Sequence, residues 1–318
     1  MKLIVQVPCY NEEKTLPAVI NSIPTQIPGV DVIETMIIDD GSKDGTIMIA
    51  EMLGVDHIVR HKQNEGLAAS FADGLDECLK HGADIIVNTD GDNQYPQQEI
   101  GRLIEPILRG THDMVIGDRQ VQTIEHFSPL KKFLQRFGTG VVQTLSGVVI
   151  ADAPSGFRAY SREAALSINV ISTFSYTIET IIQAGMMRIA IAELAIATNP
   201  KTRESRLFKS MFAHVRKSMM TMLRIYIMYS PFKVFLWLGL ILLALGLLPF
   251  IRMVYLSIVY HALASGHIQS LIFGASLLII GFLNLCLGII ADLLAINRTL
   301  IEETLYRMKK LEYSRSIK

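Results

Sequence analysis

The sequence predicts an α/β fold with a mostly parallel sheet, followed by an amphipathic segment and a two-helix membrane hairpin. Three observations carry this prediction. Short apolar runs alternate with helix-period segments through the first half of the chain, polar motifs follow the ends of these runs, and two long stretches near the C-terminus carry no charge. Alternation of strands and helices is typical of parallel sheets that are covered by helices on both faces.

The individual elements follow from hydrophobic periodicity. Strand-like runs lie at residues 3–7, 32–39, 56–60, 83–89 and 113–117, with helical segments near 12–23, 44–53, 66–81 and 96–109. Beyond them the pattern predicts an amphipathic helix over 128–149, a compact segment near 152–160, a helix over 176–186 and a strand at 188–197. Because ligands of parallel sheets bind beyond the carboxyl ends of the strands, we expect the functional site at that edge.

Charge and cysteine content narrow the class of protein. The chain has 30 basic and 30 acidic residues, so no overall positive field indicates nucleic acid as a partner. Its three cysteines lack metal-type spacing, which favours a reducing compartment without a disulfide framework. The N-terminus begins directly with a strand-like run, so we expect no signal peptide.

The two uncharged stretches predict a membrane anchor. Residues 234–251 and 268–291 can each cross a bilayer core, which needs about 20 residues. Lys and Arg crowd before the first stretch and after the second, and the connecting segment 255–267 has none, although Arg252 lies near the outer end of the first stretch. The positive-inside rule therefore predicts a cell-membrane protein with two spans and both termini in the cytoplasm. A buried hairpin in a soluble protein is the alternative, although such helices are seldom apolar all round.

The segment before the first span mixes basic and apolar side chains. That pattern suits a helix lying on an anionic membrane surface, and an ordinary helix with one face in a core is the alternative. The predicted organisation is an α/β domain over residues 1–205, this juxtamembrane helix over 206–232, two spans over 233–297 and a basic cytoplasmic tail over 298–318.

A Thr-Asp-Gly-Asp-Asn-Gln-Tyr-Pro motif occupies residues 89–96, directly after an apolar strand. Asp90 and Asp92 flank a glycine, and two such carboxylates can reach one hard divalent ion. Oxygen ligands suit Mg²⁺ or Mn²⁺, and these ions usually share their coordination with substrate phosphates. Surface turns also produce this pattern, so its weight depends on the motifs that accompany it.

A Val-Pro-Cys-Tyr-Asn-Glu-Glu motif at residues 7–13 follows the first predicted strand. It could line a nucleobase pocket, and it could equally be a strand exit in which Asn11 caps a helix.

An Ile-Asp-Asp-Gly-Ser-Lys-Asp-Gly-Thr motif follows the second strand at residues 38–46. We expect Asp40 to contact a nucleobase and Asp39 to support the site, with a turn capped by Asp44 as the alternative.

These motifs, in this order, resemble family 2 glycosyltransferases. The similarity is greatest to the branch of dolichyl-phosphate mannose synthases and bactoprenol-phosphate glycosyltransferases, and it covers residues 3 to about 210. The resemblance implies a GT-A, Rossmann-like fold, a nucleotide diphosphate sugar as donor, Mg²⁺ or Mn²⁺, and inverting transfer to a polyprenyl phosphate. It favours UDP over GDP only weakly and leaves the sugar open.

The resemblance also implies roles for residues at matching positions. Those implied to bind the nucleotide sugar are Pro8, Tyr10, Glu12, Asp40, Asp90 and Gln94, with Asp39 as support, and those implied to hold the metal are Asp90, Asp92 and Gln94. The chain departs from the branch at Leu67, where a lysine is frequent, and Lys62 is the candidate that would supply this charge to the nucleotide sugar instead. Residues 116–119 and 152–158 match two further segments of the branch. The second implies a sugar pocket that includes Ser155, Gly156 and Phe157. Glu179 matches a recurrent acid of the family and either contacts the sugar or supports the site.

The implied acceptor is already ionised at neutral pH, so it needs cations rather than a general base. The candidates for binding its phosphate are Arg119, Lys132, Arg136, Arg203 and Arg206. Arg119, Arg136 and Arg203, with Asp92, form the expected catalytic set, because arginine binds phosphate oxygens bidentately and stays charged. Each cation could instead be an ordinary surface or membrane-facing charge.

Three other functions compete with this interpretation. A family 2 enzyme that transfers to a hydroxyl would need a catalytic base, and Asp118 leaves that open. A processive polysaccharide synthase would need a Gln-x-x-Arg-Trp motif, whereas Trp237, the one tryptophan, lies in the first span. A membrane scaffold would not need the acidic motifs intact. Self-association through the membrane helices is compatible with all of them.

Overall fold

A computed structural model describes residues 1–120, 129–172, 176–199, 211–260 and 268–315. The chain divides into two compact units. The first comprises Met1–Leu223 together with Glu302–Lys318, and the second comprises Arg224–Ile301.

A seven-stranded sheet forms the centre of the first unit, with the strand order β3-β2-β1-β4-β6-β5-β7. Its strands are β1 (Lys2–Cys9), β2 (Val32–Asp39), β3 (His57–Arg60), β4 (Ile85–Asn88), β5 (Met114–Asp118), β6 (Arg158–Ser161) and β7 (Ile191–Ala195). β6 runs antiparallel to β4 and β5, and the other described pairings are parallel. The mostly parallel α/β fold predicted from the sequence is therefore confirmed.

Seven helices of the described chain accompany these strands. They are α1 (Leu16–Ser22), α2 (Thr46–Met52), α3 (Leu67–Lys80), α4 (Ile100–Leu108), α5 (Pro129–Ser146), α6 (Arg162–Ser167) and α7 (Tyr176–Met186). β1 lies in the middle of the sheet, and its residues from Leu3 to Cys9 are all buried. This is why β1 is a nearly continuous apolar run instead of an alternating one.

The first helix starts later than the sequence predicts. Asn11 adopts a left-handed backbone conformation, with φ of 56°, and does not cap the helix, which begins at Leu16. Instead Asn11 and Glu13 bind the turn after β2: Asn11 Oδ1 accepts from the Lys43 amide at 2.8 Å, and the Glu13 carboxylate accepts from the Gly45 amide at 3.0 Å. Residues 11–15 therefore connect two motifs.

The last three helices are α8 (Met211–Tyr229), α9 (Pro231–Tyr260) and α10 (Ile268–Arg315). Two of them, over Pro231–Val259 and Ile268–Tyr313, are long and apolar enough to cross a membrane. Their apolar side chains are largely exposed, as in Trp237 at 67% and Ile272 at 61%. Large apolar side chains that face outward all round a helix are typical of contact with lipid.

Glycines bring α9 and α10 close together within the second unit. A Cβ built on Gly246 would lie 2.9 Å from the carbonyl oxygen of Gly274, and the reverse substitution would produce the same clash. One heptad further along, a Cβ on Gly281 would lie 3.0 Å from Leu243. Small residues at such spacing let the backbones of membrane helices approach closely.

The end of α10 packs on the first unit, although the sequence predicts only a basic tail there. Lys309 Nζ lies 2.8 Å from Asp76 Oδ1 on α3, and Lys310 Nζ lies 2.9 Å from Glu163 Oε1 on α6. The Tyr306 hydroxyl also donates to Glu163, and Tyr313 is buried. The C-terminal part of α10, from Glu302 onward, is thus part of the α/β unit.

Candidate active site

The motifs after β1 and β4 meet at the carboxyl edge of the sheet. Gly91 is the point of contact: a Cβ built there would lie 3.1 Å from Cys9 Sγ and 3.2 Å from Glu12 Cγ. Both distances are tighter than ordinary contacts, so a side chain at this position would separate the two motifs. The packing of the site therefore favours the glycine between Asp90 and Asp92.

Three non-glycine residues with positive φ lie directly beside the motifs: Asn11 (56°), Asn93 (59°) and Gln120 (50°). Each follows the tip of a different strand, β1, β4 or β5. A left-handed conformation is uncommon outside glycine and persists where the surroundings determine it. The chain therefore turns sharply at all three tips, which keeps the motif side chains at one edge.

Asp90 and Asp92 are acidic side chains whose negative charges repel each other. Burial and the neighbouring Asp92 raise the pKa of Asp90 to about 7, against the opposing effect of Arg119. Asp92 is only half-buried, and its carboxylate accepts from the Gln94 backbone and side-chain amides. A divalent cation would relieve this repulsion, and carboxylate oxygens are the donors that Mg²⁺ and Mn²⁺ prefer. The residues thus fit such an ion.

The segment that contains residues 152–158 closes over Asp90. A Cβ on Gly156 would lie 3.0 Å from Asp90 Oδ1, so the segment approaches the carboxylate as closely as a glycine allows. The Gly156 amide donates to the Tyr95 hydroxyl at 3.0 Å, and its carbonyl accepts from Asn88 Nδ2 at 2.8 Å. These bonds fix the loop to the strand that carries the acidic motif.

Arg119 is tied to Asp152, a partner that the sequence analysis did not identify. Its Nε and Nη2 atoms lie 2.7 and 2.9 Å from the two carboxylate oxygens, a bidentate geometry that fixes the guanidinium plane. Glu193 on β7 in turn accepts from the backbone amides of Ala151 and Asp152. Asp152 begins the 152–158 segment, which was a signal that it belonged to the site.

The model for the glycosyl transferase family 2 domain matches residues 4–168, which is just over half of the chain and includes all of these motifs. The chain belongs to glycosyltransferase family 2. The expected family is therefore shown, and the strand tips described above form the edge at which the family 2 motifs of this chain meet.

Individual relatives agree with this membership. A polyprenol monophosphomannose synthase of Mycolicibacterium smegmatis is 30% identical over 169 residues, which are 51% of this chain and 62% of that protein. A UDP-N-acetylglucosamine–dolichyl-phosphate N-acetylglucosaminyltransferase of Methanococcus voltae is 30% identical over 217 residues, 60% of this chain and 83% of that protein. The match therefore spans less than two thirds of the first of these relatives.

Solved structures show the same fold. Glucosyl-3-phosphoglycerate synthase from Mycobacterium tuberculosis, in complex with phosphoglyceric acid, superposes with a TM-score of 0.57 at 25% identity and covers 70% of this chain and 79% of that one. Its complex with Mn²⁺, UDP-glucose and phosphoglyceric acid gives the same TM-score at 24% identity, covering 71% and 79%. The GT-A fold implied by the resemblance is thereby confirmed.

Asp39 and Asp40, the carboxylates of this family 2 site at the end of β2, have different hydrogen-bond partners. Asp39 accepts from the Ser42 amide at 3.1 Å and so supports the turn. Asp40 accepts from the backbone amides of Glu65 and Gly66 at 2.8 and 2.9 Å, which holds the loop before α3. A base contact by Asp40 stays a prediction, and the loop contacts were not foreseen.

Other side chains of the expected nucleotide site differ in exposure. Tyr10 and Lys62 are exposed at the edge of the sheet, whereas Pro8 and Glu12 are buried beneath it. Glu12 Oε2 accepts from the Thr15 hydroxyl at 2.8 Å. Tyr10 and Lys62 are therefore accessible to a ligand, whereas Pro8 and Glu12 would lie beneath it.

The residues expected in the sugar pocket are buried, and their described contacts are with protein. Phe157 stacks on Tyr95, with ring centroids 5.2 Å apart. Glu179 accepts from the backbone amides of Ile171 and Ser172 at 3.1 and 2.8 Å, so it anchors a loop. Ser155 and Gly156 are also buried. Of the two roles considered for Glu179, the geometry favours support, and a sugar contact stays a prediction.

The structure describes only some of the cations that are expected to bind the acceptor phosphate. Arg119 lies at the tip of β5, and Arg136 is exposed on α5. Lys132 lies on α5 as well, but its side chain, like Arg203 and Arg206, falls outside the described residues. The predicted gathering of these cations around one phosphate therefore stays a prediction.

Proposed function

We propose that this protein transfers a hexose or N-acetylhexosamine from a nucleotide diphosphate sugar to a polyprenyl phosphate at the cytoplasmic face of a membrane. One observation carries the proposal: an acidic pair follows β4 and a bidentately held arginine follows β5, on either side of the antiparallel strand β6. They are joined by the segment that contacts both, through Gly156 on Asp90 and through Asp152 on Arg119. Such a site has places for two anionic substrates, one on each side.

The names of several relatives support the acceptor class. Besides the two proteins above, an undecaprenyl-phosphate mannosyltransferase of Micrococcus luteus is 26% identical over 184 residues. These names share a polyprenyl phosphate but differ in the sugar, so they favour the acceptor and leave the donor open. The name of the Methanococcus relative contains UDP, which agrees with a weak preference for UDP.

The mechanism follows from charge. Asp90, Asp92 and Gln94 would hold Mg²⁺ or Mn²⁺, which supplies stabilisation of the departing diphosphate. Arg119, fixed by Asp152, would bind phosphate oxygens of the acceptor and orient them toward the anomeric carbon. Holding both reactants in line replaces much of the entropic cost of their encounter. Attack opposite the leaving group gives inversion, and no general base is required because the acceptor is ionised.

A membrane location fits the same proposal. The pairs between Lys309 and Asp76 and between Lys310 and Glu163 lie within the first unit, whose residues both precede and follow the apolar helices. This supports two crossings with both termini in the cytoplasm. On α8, exposed Met219, Met220 and Leu223 follow exposed Arg216 and Lys217, which favours a helix at the lipid surface.

A donor screen tests the proposal. Purified full-length protein with Mn²⁺ is given polyprenyl phosphate and, one at a time, UDP- and GDP-sugars, and the lipid product is detected by mass. We expect one nucleotide sugar to yield a lipid-phosphate-linked sugar. The matched control is the corresponding polyprenol, which lacks phosphate. Transfer to polyprenol at the same rate would favour the hydroxyl-transferring alternative, and no product with any donor would contradict the proposal.

A further inference from the structure

His61 follows β3 and lies outside the acidic motif that would hold the catalytic metal. Its side chain is only 8% exposed, and its backbone amide donates to the Asp39 carbonyl at 2.9 Å. Its Nδ1 atom lies 3.0 Å from Asp40 Oδ1. A carboxylate can only accept, so this contact assigns the proton of a neutral imidazole to Nδ1 and leaves a lone pair on Nε2.

A second acceptor atom lies beside that lone pair. Nε2 lies 3.1 Å from Asp73 Oδ2 on α3. Within the described part of the chain, however, Nε2 has no hydrogen-bond partner of acceptable geometry. Two acceptor atoms this close repel each other unless a proton lies between them or a metal cation lies beside both. Adjacent ligands of one metal ion have this spacing, because bonds of about 2.1 Å put them about 3.0 to 3.4 Å apart.

Glu65 completes the group. The ligand atoms of His61, Glu65 and Asp73 all lie within 4.8 Å of one another. Glu65 and Asp73 are exposed, so their side chains can rotate by the small amount needed to close on an ion. A metal-binding histidine is commonly oriented by a carboxylate that accepts from its other ring nitrogen, as Asp40 does for His61.

We propose that His61, Glu65 and Asp73 form a second divalent-cation site beside the nucleotide edge of the sheet. One imidazole nitrogen with two carboxylates suits a borderline ion such as Zn²⁺ or Mn²⁺ better than Mg²⁺ or Ca²⁺, which prefer oxygen ligands alone.

The position of the site gives it a structural consequence. Glu65 is both a ligand and a donor, since its backbone amide binds Asp40 Oδ1 at 2.8 Å. An ion held between residue 65 and α3 would therefore fix the loop that surrounds Asp40, the residue expected to contact the base. This consequence rests on the proposed function, whereas the cation site itself does not.

Zinc titration of the full-length protein tests the site. The protein carries Asp92→Asn to remove the first metal site, is stripped with a chelator in detergent, and is titrated with Zn²⁺ alone by calorimetry. We expect one Zn²⁺ per chain, with affinity at least about ten-fold weaker in His61→Gln and in Asp73→Asn, since each removes one of three protein ligands. The matched control is Glu77→Gln, an acidic residue of α3 that pairs with Lys80.

Asp73 is largely exposed, so Asp73→Asn should fold even if His61→Gln does not, and thermal unfolding without metal checks this. Co²⁺ in place of Zn²⁺ should give a ligand-field spectrum that His61→Gln loses. Equal Zn²⁺ affinity in all variants would overturn the proposal and leave a proton between His61 and Asp73 as the explanation. Because neither donor nor acceptor is present, the outcome is independent of whether the transfer assay succeeds.

Discussion

Arg119 and Asp152 illustrate how a pair of side chains determines what the site can bind. The carboxylate holds the guanidinium by two bonds of 2.7 and 2.9 Å and leaves Arg119 16% exposed. Asp152 is itself almost fully buried, so the charge of each partner is compensated mainly by the other. The arginine is therefore preorganised, as the proposed contact with a phosphate requires.

Replacing Arg119 by Ala should weaken use of the lipid phosphate more than binding of the donor. A charge-assisted hydrogen bond contributes about 1.5–3 kcal/mol, so we expect the KM for polyprenyl phosphate to rise about ten- to one-hundred-fold. Steady-state kinetics with each substrate varied in turn measure this. The control is Arg102→Ala, which removes a surface arginine paired with Glu99. Equal loss of affinity for both substrates would count against the assignment.

Gly91 gives a second prediction for a single residue. Gly91→Ala should lower the free energy of unfolding by about 1–3 kcal/mol and weaken donor binding, because its Cβ would push Cys9 and Glu12 away. Gly140→Ala is the control, since a Cβ there meets nothing within 4 Å, and a helical alanine stabilises by up to about 1 kcal/mol. Chemical denaturation and donor titration measure both. Equal behaviour of the two variants would refute the contact argument.

The sequence predicted individual site residues well where the side chain itself indicates a chemical role. The acidic pair and Arg119 lie at strand tips as expected, because apolar runs place strand ends reliably. Asp152, His61 and the loop contacts of Asp40 were missed. Each depends on a partner 21 or more residues away along the chain. Such pairings arise from tertiary packing, which hydrophobic periodicity does not encode.

At the level of elements, the membrane hairpin depends on glycines. Gly246→Leu or Gly274→Leu should separate α9 from α10, because the added side chain meets backbone at 2.9 Å and backbone cannot rotate away. We expect a loss of about 1–3 kcal/mol, typical of overpacking, seen as a lower Tm in detergent. Ala244→Leu is the control on an exposed position of α9. An unchanged Tm for both glycine variants would argue against close packing.

Helices and strands themselves were largely predicted. The sequence placed α7 at its observed bounds and β2 likewise, and it placed the first five strands to within a few residues. The sequence did not predict β6, because it is a four-residue antiparallel strand whose sequence, Arg-Ala-Tyr-Ser, carries no apolar run. The sequence also did not predict the late start of α1, because Asn11 accepts a hydrogen bond from a turn 32 residues away and does not cap the helix.

For the whole molecule, the structure changes what the C-terminal segment is expected to do. Its basic composition predicted a free cytoplasmic tail. Lys309 is only 14% exposed and pairs with Asp76. The C-terminal segment therefore also stabilises the α/β unit that the N-terminal part of the chain forms. No local pattern reveals such a return, because it depends on where α3 and α6 face.

Cutting the chain before Lys233 should therefore have two effects. The remaining fragment should fold with a lower Tm, since it loses the contacts of Tyr306, Lys309 and Tyr313. It should also act poorly on long-chain lipid in membranes while retaining activity on a short, water-soluble prenyl phosphate. The full-length Lys309→Ala variant is the control, because it weakens the packing but keeps the anchor. Full activity of the fragment on membrane-embedded lipid would contradict the anchoring role.

The central claim is that Asp90 and Asp92 hold a divalent ion against the diphosphate of a sugar donor. Its most direct test measures formation of lipid-phosphate-linked sugar by mass in wild type, Asp90→Asn and Asp92→Asn, with circular dichroism as a check of folding. We predict product with Mn²⁺ or Mg²⁺, none after chelation, and a loss of at least about a hundred-fold in both variants. Turnover at the wild-type rate in a folded Asp92→Asn variant would contradict the account.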